Sequence, residues 1–421
     1  MTFWQRVKPL RVRVLALLAV VGPGIITANV DNDAGGITTY SVSGAHYGYS
    51  LLWMMPLIAV ALIIVQEMSA RLGVVTGKGL ADLIRESMGV RMTAIIIGLV
   101  LVANLTNTIS EFAGVAASME IFGVSKFISV PLAAVLVWVL IVKASYKWVE
   151  RIFLVASALY LAYVASGILA RPPWPEVTRA FVTPEFHFDA GYVTLAVTIV
   201  GTTIAPWMQF YQQASIVDKG LKVVDYGYER IDVIVGSVFA VFVAAFITIA
   251  CAATLHTNGV QIETAKDAAL ALGPLAGPYA STLFALGLLN ASVFSAAILP
   301  LSTAYLVCEA FGWEAGVDRN LREAPVFFGL YTAFIAVGAA IILLPIKSLV
   351  QTMLVSQTLN GILLPVILLV MLRLVNDHRL MGRFVNGRVL NSVTAVIVAA
   401  LIALTAILVV TTVFPGALGG G

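Results

Sequence analysis

The chain has 421 residues, of which 60% are hydrophobic and 11% charged, and its mean hydropathy is +0.98. Soluble domains carry about 25% charged residues, so this composition excludes a soluble protein and indicates a polytopic membrane protein. The net charge of +3 gives no case for nucleic-acid binding. Cys251 and Cys308 both lie in apolar segments, which argues against a disulfide framework or a thiolate metal site.

Apolar runs long enough to cross a bilayer recur along the whole chain. The first run continues past the roughly 7 to 15 residues of a signal peptide, so it counts as a span. Hydropathy predicts one transmembrane domain, residues 1–421, with eleven spans. The predicted spans are residues 12–44, 49–72, 91–122, 126–143, 150–170, 190–216, 231–256, 277–311, 325–346, 347–374 and 388–414.

Basic residues divide unevenly between the loops on the two sides of these spans. With the N-terminus in the cytoplasm, the inner loops hold 20 of the 25 Lys and Arg residues. The outer loops hold only Lys126, Arg171, Arg179, Lys266 and Lys347. Because Lys and Arg accumulate on the cytoplasmic side, the pattern predicts a multi-pass cell-membrane protein with its N-terminus inside and its C-terminus outside.

Residues 31–36 (Asp-Asn-Asp-Ala-Gly-Gly) interrupt the first apolar run. An Asp at the bilayer centre costs about 2.5 to 3.5 kcal/mol, whereas Leu, Ile or Val returns about 0.3 to 0.6 kcal/mol. Residues this costly usually mark an ion or substrate path. Gly35 and Gly36 let the backbone leave the helix, so that carbonyls face a ligand.

Residues 201–206 (Gly-Thr-Thr-Ile-Ala-Pro) interrupt the sixth run, where Pro206 frees a carbonyl one turn earlier. Spans 1 and 6 each begin a set of five spans, about residues 12–170 and 190–374. Because five is an odd number, the second set enters the membrane from the opposite side and is inverted relative to the first. Paired broken helices form the midplane site of many transporters, although a lone proline kink is common. We therefore predict an all-α, leucine-transporter-like 5+5 inverted repeat with broken helices 1 and 6 and an extra helix at about 388–414.

The half-helix before each break ends at the midplane with unpaired carbonyls, which favour a cation. Two carboxylates with no His, Cys or Arg beside them in sequence make a hard oxygen site, suited to Mg²⁺, Mn²⁺, Ca²⁺ or Na⁺. We expect one principal ligand, Asp33, and a second carboxylate, Asp31. The other expected site residues are Thr202 and Ala205 as carbonyl donors, Gly36, Gly35 and Pro206 as the unwound geometry, and Asn32 as a lining residue.

Several stretches resemble the natural resistance-associated macrophage protein (Nramp) family of divalent metal transporters. In the first two spans these are residues 22–24 (Gly-Pro-Gly), 44–53 (Gly-Ala-His-Tyr-Gly-Tyr-Ser-Leu-Leu-Trp) and 75–80 (Val-Thr-Gly-Lys-Gly-Leu). Residues 110–114 (Ser-Glu-Phe-Ala-Gly) continue the likeness, which is weaker through spans 6 to 10. The most specific part covers the first quarter of the chain.

Two departures from the family pattern bear on the substrate. The family's Asp-Pro-Gly-Asn signature is here residues 33–36 (Asp-Ala-Gly-Gly), and its Met-Pro-His signature is residues 205–207 (Ala-Pro-Trp). Losing the thioether removes a reason to prefer softer metals, and Gly36 and Ala205 leave volume for a hydrated ion. The pattern resembles the Nramp-related magnesium transporter branch, although Met208, one turn further along, could partly substitute for the lost thioether.

The resemblance implies that proton coupling in the family runs through the histidine of span 6 and an acidic residue in span 3. Here these positions are Trp207 and Asn104, neither of which carries a proton near neutral pH. Of the four histidines, two lie in predicted loops and two at span ends: His187, His378, His46 and His256. We therefore expect uncoupled transport driven by the ion gradient and the membrane potential, with Asp31 and Glu111 as the remaining groups able to carry a proton.

Other polar residues fall inside predicted spans. Glu111 is either an acid beside the path or a hydrogen-bonding partner between helices. The resemblance implies that a glutamine of span 10 contacts the ion. In this sequence the matching position is either Gln351 or Thr352. Gln357 and Asn360 follow in the same span, and the sequence singles out none of the four.

We expect a secondary transporter, not an enzyme, that imports hydrated Mg²⁺, and also Mn²⁺, by alternating access. The metal is the substrate, so no cofactor is expected. The expected partners are this ion and the lipid bilayer, without nucleic acid or an obligate protein. One alternative is a proton-coupled Mn²⁺ or Fe²⁺ symporter in which Met208 and Asp31 replace the lost ligands. Another is a cation-coupled symporter of amino acids or organic solutes on the same fold.

Overall fold

The computed structural model describes residues 30–143, 157–187 and 189–413, and these ranges contain helices and no β-strand. We number the longer helices in chain order: α1 Ala34–Tyr47, α2 Met54–Thr76, α3 Leu80–Ile121, α4 Lys126–Lys143, α5 Leu161–Leu169, α6 Trp174–Val182, α7 Ala190–Thr203, α8 Pro206–Asp218, α9 Tyr226–Thr254, α10 Ala280–Phe311, α11 Pro325–Leu343, α12 Leu349–Val375 and α13 Arg388–Val413. Shorter turns include Ala265–Ala269, Gly273–Ala276 and His378–Met381.

Nine segments in the described ranges are long and apolar enough to cross a membrane. They match predicted spans 2 to 4 and 6 to 11, with α7 and α8 taken together as one segment. Predicted spans 1 and 5 lie partly in residues 1–29 and 144–156, outside the described ranges. The all-helical membrane fold is confirmed, and the number eleven stays a prediction.

Helix α3 begins at Leu80, well before the predicted residue 91. Gly89, with φ of 75°, leaves helical geometry and separates a charged first segment from the apolar remainder. Asp82, Arg85 and Glu86 lower the hydropathy of that first segment, so hydropathy placed the start of the apolar span just after Gly89 and not at the start of the helix.

Glycines bring the backbones around α1 close together. A side-chain carbon at Gly44 of α1 would meet Cys251 of α9, and one at Gly114 of α3 would meet Ala34 of α1. Small residues at helix crossings allow this approach inside a membrane, where lipid gives helices no hydrophobic reason to associate. Helix α1 is therefore packed closely against α3, α9 and α12.

Candidate metal-binding site

The first apolar run breaks at Asn32 and Asp33, between the helical residue Asp31 and the start of α1 at Ala34. Asp33 is the N-cap of α1, with extended backbone, and its Oδ1 accepts the Gly36 N–H at 2.6 Å. An aspartate cap satisfies an orphan donor and places negative charge at the positive end of the helix. The predicted break in the first span is confirmed. Asp33 has two functions there, because it caps the start of α1 and contributes a carboxylate to the site.

Gly35 and Gly36 lie in the first turn of α1, not in the unwound segment as the sequence predicted. A Cβ atom at Gly36 would lie 2.6 Å from the Asp31 carbonyl oxygen, 3.3 Å from Thr202 Oγ1 and 3.4 Å from Asp33 Oδ1. The prediction that Gly36 leaves volume for a hydrated ion is therefore wrong for this conformation. The same distances show that three oxygen atoms from both breaks surround one point.

The second break lies between α7 and α8, as predicted. Helix α7 ends at Thr203, Ala205 has extended backbone, and Pro206 is the first residue of α8. Since Pro206 has no N–H, the carbonyl of Thr202 lacks the donor that would continue the helix. The hydroxyl oxygen of Thr202, Oγ1, is also buried and has no hydrogen-bond partner.

Ala205 contributes less to the site than the sequence suggested. Its carbonyl accepts the Met208 N–H at 3.1 Å. With the Gln209 amide oriented so that its nitrogen faces acceptors, that nitrogen donates to the carbonyls of Ala205 and Pro206 at 2.9 and 2.7 Å. Both lone pairs of the Ala205 carbonyl are thus engaged, which leaves Thr202 as the better donor from this break.

Glu111 of α3 joins the first break. Its Oε2 accepts the N–H of Ala34 at 3.3 Å, its Oε1 has no partner, and its carboxyl group lies beside that of Asp33. A third carboxyl group therefore lies at the start of α1, where the unpaired N–H groups of a helix favour negative charge.

The residue of α12 beside the site is Gln357. Gln351 is exposed and Thr352 bonds back to Ser348 in the first turn of α12, so neither lines the site, contrary to prediction. The Gln357 side chain instead occupies the space next to Gly35 and interacts with Asp33.

Buried amides of α3 and α12 hold Gln357 in place. Asn360 Nδ2 donates to Gln357 Oε1 at 2.9 Å and also to Asn107 Oδ1 at 2.9 Å. This orients the Gln357 nitrogen, which has no other partner, toward α1. The cluster of amides in spans 3 and 10 was the available sequence signal for this network.

The remaining predicted residues line the surroundings. Trp207 and Met208 are fully buried in the apolar core at the start of α8. Asn104 Nδ2 donates to Thr303 of α10 at 3.0 Å, and Asn32 Nδ2 donates to the Ala240 carbonyl of α9 at 3.4 Å.

The unsatisfied atoms at the breaks are mostly oxygen acceptors. Both carboxylate oxygens of Asp31, Asn32 Oδ1 and Thr202 Oγ1 are buried without a hydrogen-bond partner. Such atoms are costly unless a ligand or water meets them. The described residues contain no group of three or more His, Cys, Asp or Glu arranged to hold a metal, so an ion here would need hydroxyl, carbonyl and water oxygens as well. The fold and this site define a membrane transporter of the broken-helix class.

Comparison with known proteins agrees with this class. A family model described as natural resistance-associated macrophage protein-like matches residues 24–411. A divalent metal cation transporter MntH from Ralstonia nicotianae is 31% identical over 402 residues, covering 90% of this chain and 87% of the relative. The Bacillus subtilis MntH is 26% identical over 411 residues, covering 94% and 93%.

Solved structures show the same fold. A crystal structure of the Eremococcus coleocola manganese transporter, in complex with an aromatic bis-isothiourea substituted compound, aligns with a TM-score of 0.80 and 21% identity over 96% of this chain and 88% of that one. A nucleobase-cation-symport-1 family transporter aligns with a TM-score of 0.57 and 15% identity, covering 94% of each chain. The chain belongs to the Nramp family.

Proposed function

We propose that this chain, acting as a single transporter domain, imports divalent cations by alternating access, with Mg²⁺ preferred and Mn²⁺ also accepted. The observation that carries the proposal is the set of buried, unpartnered oxygen acceptors at two helix breaks. Relatives named as divalent metal cation transporters span nearly the whole chain. Asp33 and Asp31 would supply the charge, and Thr202 neutral oxygen.

The preference for Mg²⁺ rests on the kind of donor present. Mg²⁺ binds carboxylates and other oxygen atoms and keeps several waters, whereas thioether ligands favour softer metals. Ala205 supplies no sulfur at the second break, and Met208 is packed in the apolar core. A hydrated ion needs more room than Gly36 offers in this conformation, so binding would require the two breaks to separate slightly.

Transport without proton coupling is the second part of the proposal. Trp207 and Asn104 occupy the positions at which the resemblance implies proton carriers, and both are buried and cannot titrate. The membrane potential alone supplies about 4.6 kcal/mol for a divalent ion per 100 mV. We place the N-terminus in the cytoplasm and the C-terminus outside the cell membrane, on the distribution of Lys and Arg.

One observation favours the proton-coupled Mn²⁺ or Fe²⁺ alternative. Glu111 is fully buried beside Asp33 and has an unpartnered oxygen. A carboxyl group in this position is chemically able to carry a proton, so coupling must be measured directly.

The test is uptake into proteoliposomes that hold an internal Mg²⁺ dye and a pH dye, for the parent and for Asp33→Ala. Asp377→Ala is a matched control, because Asp377 also caps a helix, His378–Met381, but lies at the surface. We expect Mg²⁺ uptake that Asp33→Ala abolishes and Asp377→Ala preserves, without internal acidification. Uptake of Mn²⁺ alone, with acidification, would establish the proton-coupled symporter instead.

A further inference from the structure

A second group of buried polar side chains lies on the α8 side of the breaks. Glu229, in the first turns of α9, is completely buried, and neither of its carboxylate oxygens has a hydrogen-bond partner. Asp232 follows three residues later, is also buried, and acts electrostatically on Glu229. Residues three apart lie on the same helix face, so the two carboxyl groups face one region.

Gln212 of α8 points into this region. Gln212 is completely buried and interacts with the Glu229 carboxylate. Neither the oxygen nor the nitrogen of its amide group makes a hydrogen bond of normal geometry. Its neighbour Gln213 differs, because its nitrogen donates to the Lys78 carbonyl at 2.8 Å. Apart from their mutual contact, the buried Gln212 amide and the buried Glu229 carboxylate have no hydrogen-bond partner. Burying them in this state is expensive, and this cost is the independent indication of a ligand.

We propose that Glu229, Asp232 and Gln212 form a second binding site for a divalent cation. Carboxylate and amide oxygens are the donors that Mg²⁺ and Mn²⁺ accept, with water completing the coordination. The choice of cation rests on the proposed function, whereas the existence of the site does not.

The position suggests a role in ion passage. Along α8, Gln212 lies seven residues beyond the second break at Ala205, which corresponds to a rise of about 10 Å. With the hydrocarbon core about 30 Å thick, this places the second site most of the way from the central site to the surface that the proposed orientation puts in the cytoplasm. A carboxylate at this depth lowers the cost of a divalent ion crossing a weakly polar region, so the second site receives the ion that leaves Asp33.

The Lys219 ammonium group sets the affinity of the second site. It acts electrostatically on Glu229 and therefore opposes a bound cation. A weak site is what an exit needs, because an ion that binds too tightly does not leave. Replacing Lys219 with Gln should strengthen cation binding at Glu229.

The experiment measures Mn²⁺ binding to the purified full chain by electron paramagnetic resonance of the unbound ion, with Mg²⁺ as competitor. The variants are Asp33→Ala, Glu229→Gln, the double variant, Gln212→Ala and Lys219→Gln. We expect two sites in the parent, one in each of Asp33→Ala and Glu229→Gln, and none in the double variant. Gln212→Ala should weaken the second site about tenfold, and Lys219→Gln should tighten it.

Two controls separate charge loss from damage to the fold. Glu67→Gln removes another buried carboxylate, but one that already has partners, Arg71 at 3.2 Å and Tyr226. Gln213→Ala removes the neighbouring amide. Both should keep two Mn²⁺ sites, and gel filtration shows whether each variant is folded. If Glu229→Gln misfolds, Gln212→Ala in the Asp33→Ala background tests the same site.

The outcomes distinguish the two proposals. Unchanged stoichiometry in Glu229→Gln, or loss of all binding in Asp33→Ala, would overturn the second site. Loss of one site in Glu229→Gln with none lost in Asp33→Ala would support the second site and contradict the proposed central one.

Discussion

The two helix breaks hold corresponding positions in the fold but are built from different chemistry. The first contains two aspartates, and Asp33 ends the break itself by capping α1. The second contains no charge, and its geometry comes from Pro206, which begins α8 without a side-chain cap. The first break therefore concentrates the charge, while the second supplies a rigid bend and neutral oxygen.

The difference shows that the charge and the backbone geometry of the site come from different helix breaks. The Asp33 carboxylate and the Thr202 hydroxyl lie near one point beside Gly36. Tyr40 of α1 also joins the two breaks, because its hydroxyl lies 2.8 Å from Thr203 Oγ1 at the end of α7. Changes to the first break should therefore affect ion binding most, and changes to the second should affect geometry and selectivity.

The largest effect should come from separating the two functions of Asp33. Asp33→Asn keeps an N-cap side chain, whereas Asp33→Ala loses it at a cost of about 1 kcal/mol. Both should reduce Mg²⁺ uptake about 100-fold, equal to about 2.7 kcal/mol, and only the alanine variant should also lower the melting temperature. Dye-based uptake and thermal unfolding in detergent measure the two effects. Normal uptake by Asp33→Asn would mean that the cap, not the charge, is what transport requires.

A smaller effect is expected from packing behind the second break. Gly201→Ala places a methyl group against the backbone of α12 at Gln357 and Gly361, which cannot move cheaply. We expect destabilisation of about 1 to 3 kcal/mol, read as a lower melting temperature. Gly98→Ala is the matched control, because nothing lies within 4 Å of its new methyl group. Equal behaviour of the two variants would show that α7 and α12 are not tightly packed.

Selectivity should respond at Ala205. Ala205→Met places a thioether at the second break and should shift the ratio of Mn²⁺ to Mg²⁺ uptake toward Mn²⁺ by about tenfold, because sulfur favours the softer ion. Ala205→Leu adds similar bulk without sulfur and controls for volume. The same shift in both variants would assign selectivity to space and not to ligand chemistry.

The smallest effect is expected at Thr202. Thr202→Val removes the unpartnered hydroxyl and should weaken Mg²⁺ uptake about threefold, within the range of one neutral oxygen interaction of about 0.5 to 1.5 kcal/mol. Thr198→Val, one turn earlier on α7, removes a hydroxyl that already bonds Thr358 at 2.7 Å and should leave half-maximal uptake unchanged. A response to Thr198→Val as large as that to Thr202→Val would exclude a special role for Thr202.

The sequence by itself determined the membrane class, most of the spans and both breaks. Hydropathy and the positions of Asp, Gly and Pro are read along the chain, and the cost of charge in lipid or of proline in a helix applies wherever these residues lie. The aspartates and Pro206 could therefore be identified before any helix was placed.

Only the tertiary structure decided which residues meet at the breaks. Gln351 and Gln357 are equally polar, and the packing of α12 against α1 and α7 brings Gln357 to Asp33 and leaves Gln351 exposed. In the same way, the space at Gly36 and the contact between Glu111 and Ala34 depend on how separate helices approach. Register and spacing between helices are set by contacts between residues far apart in sequence, which local patterns do not encode.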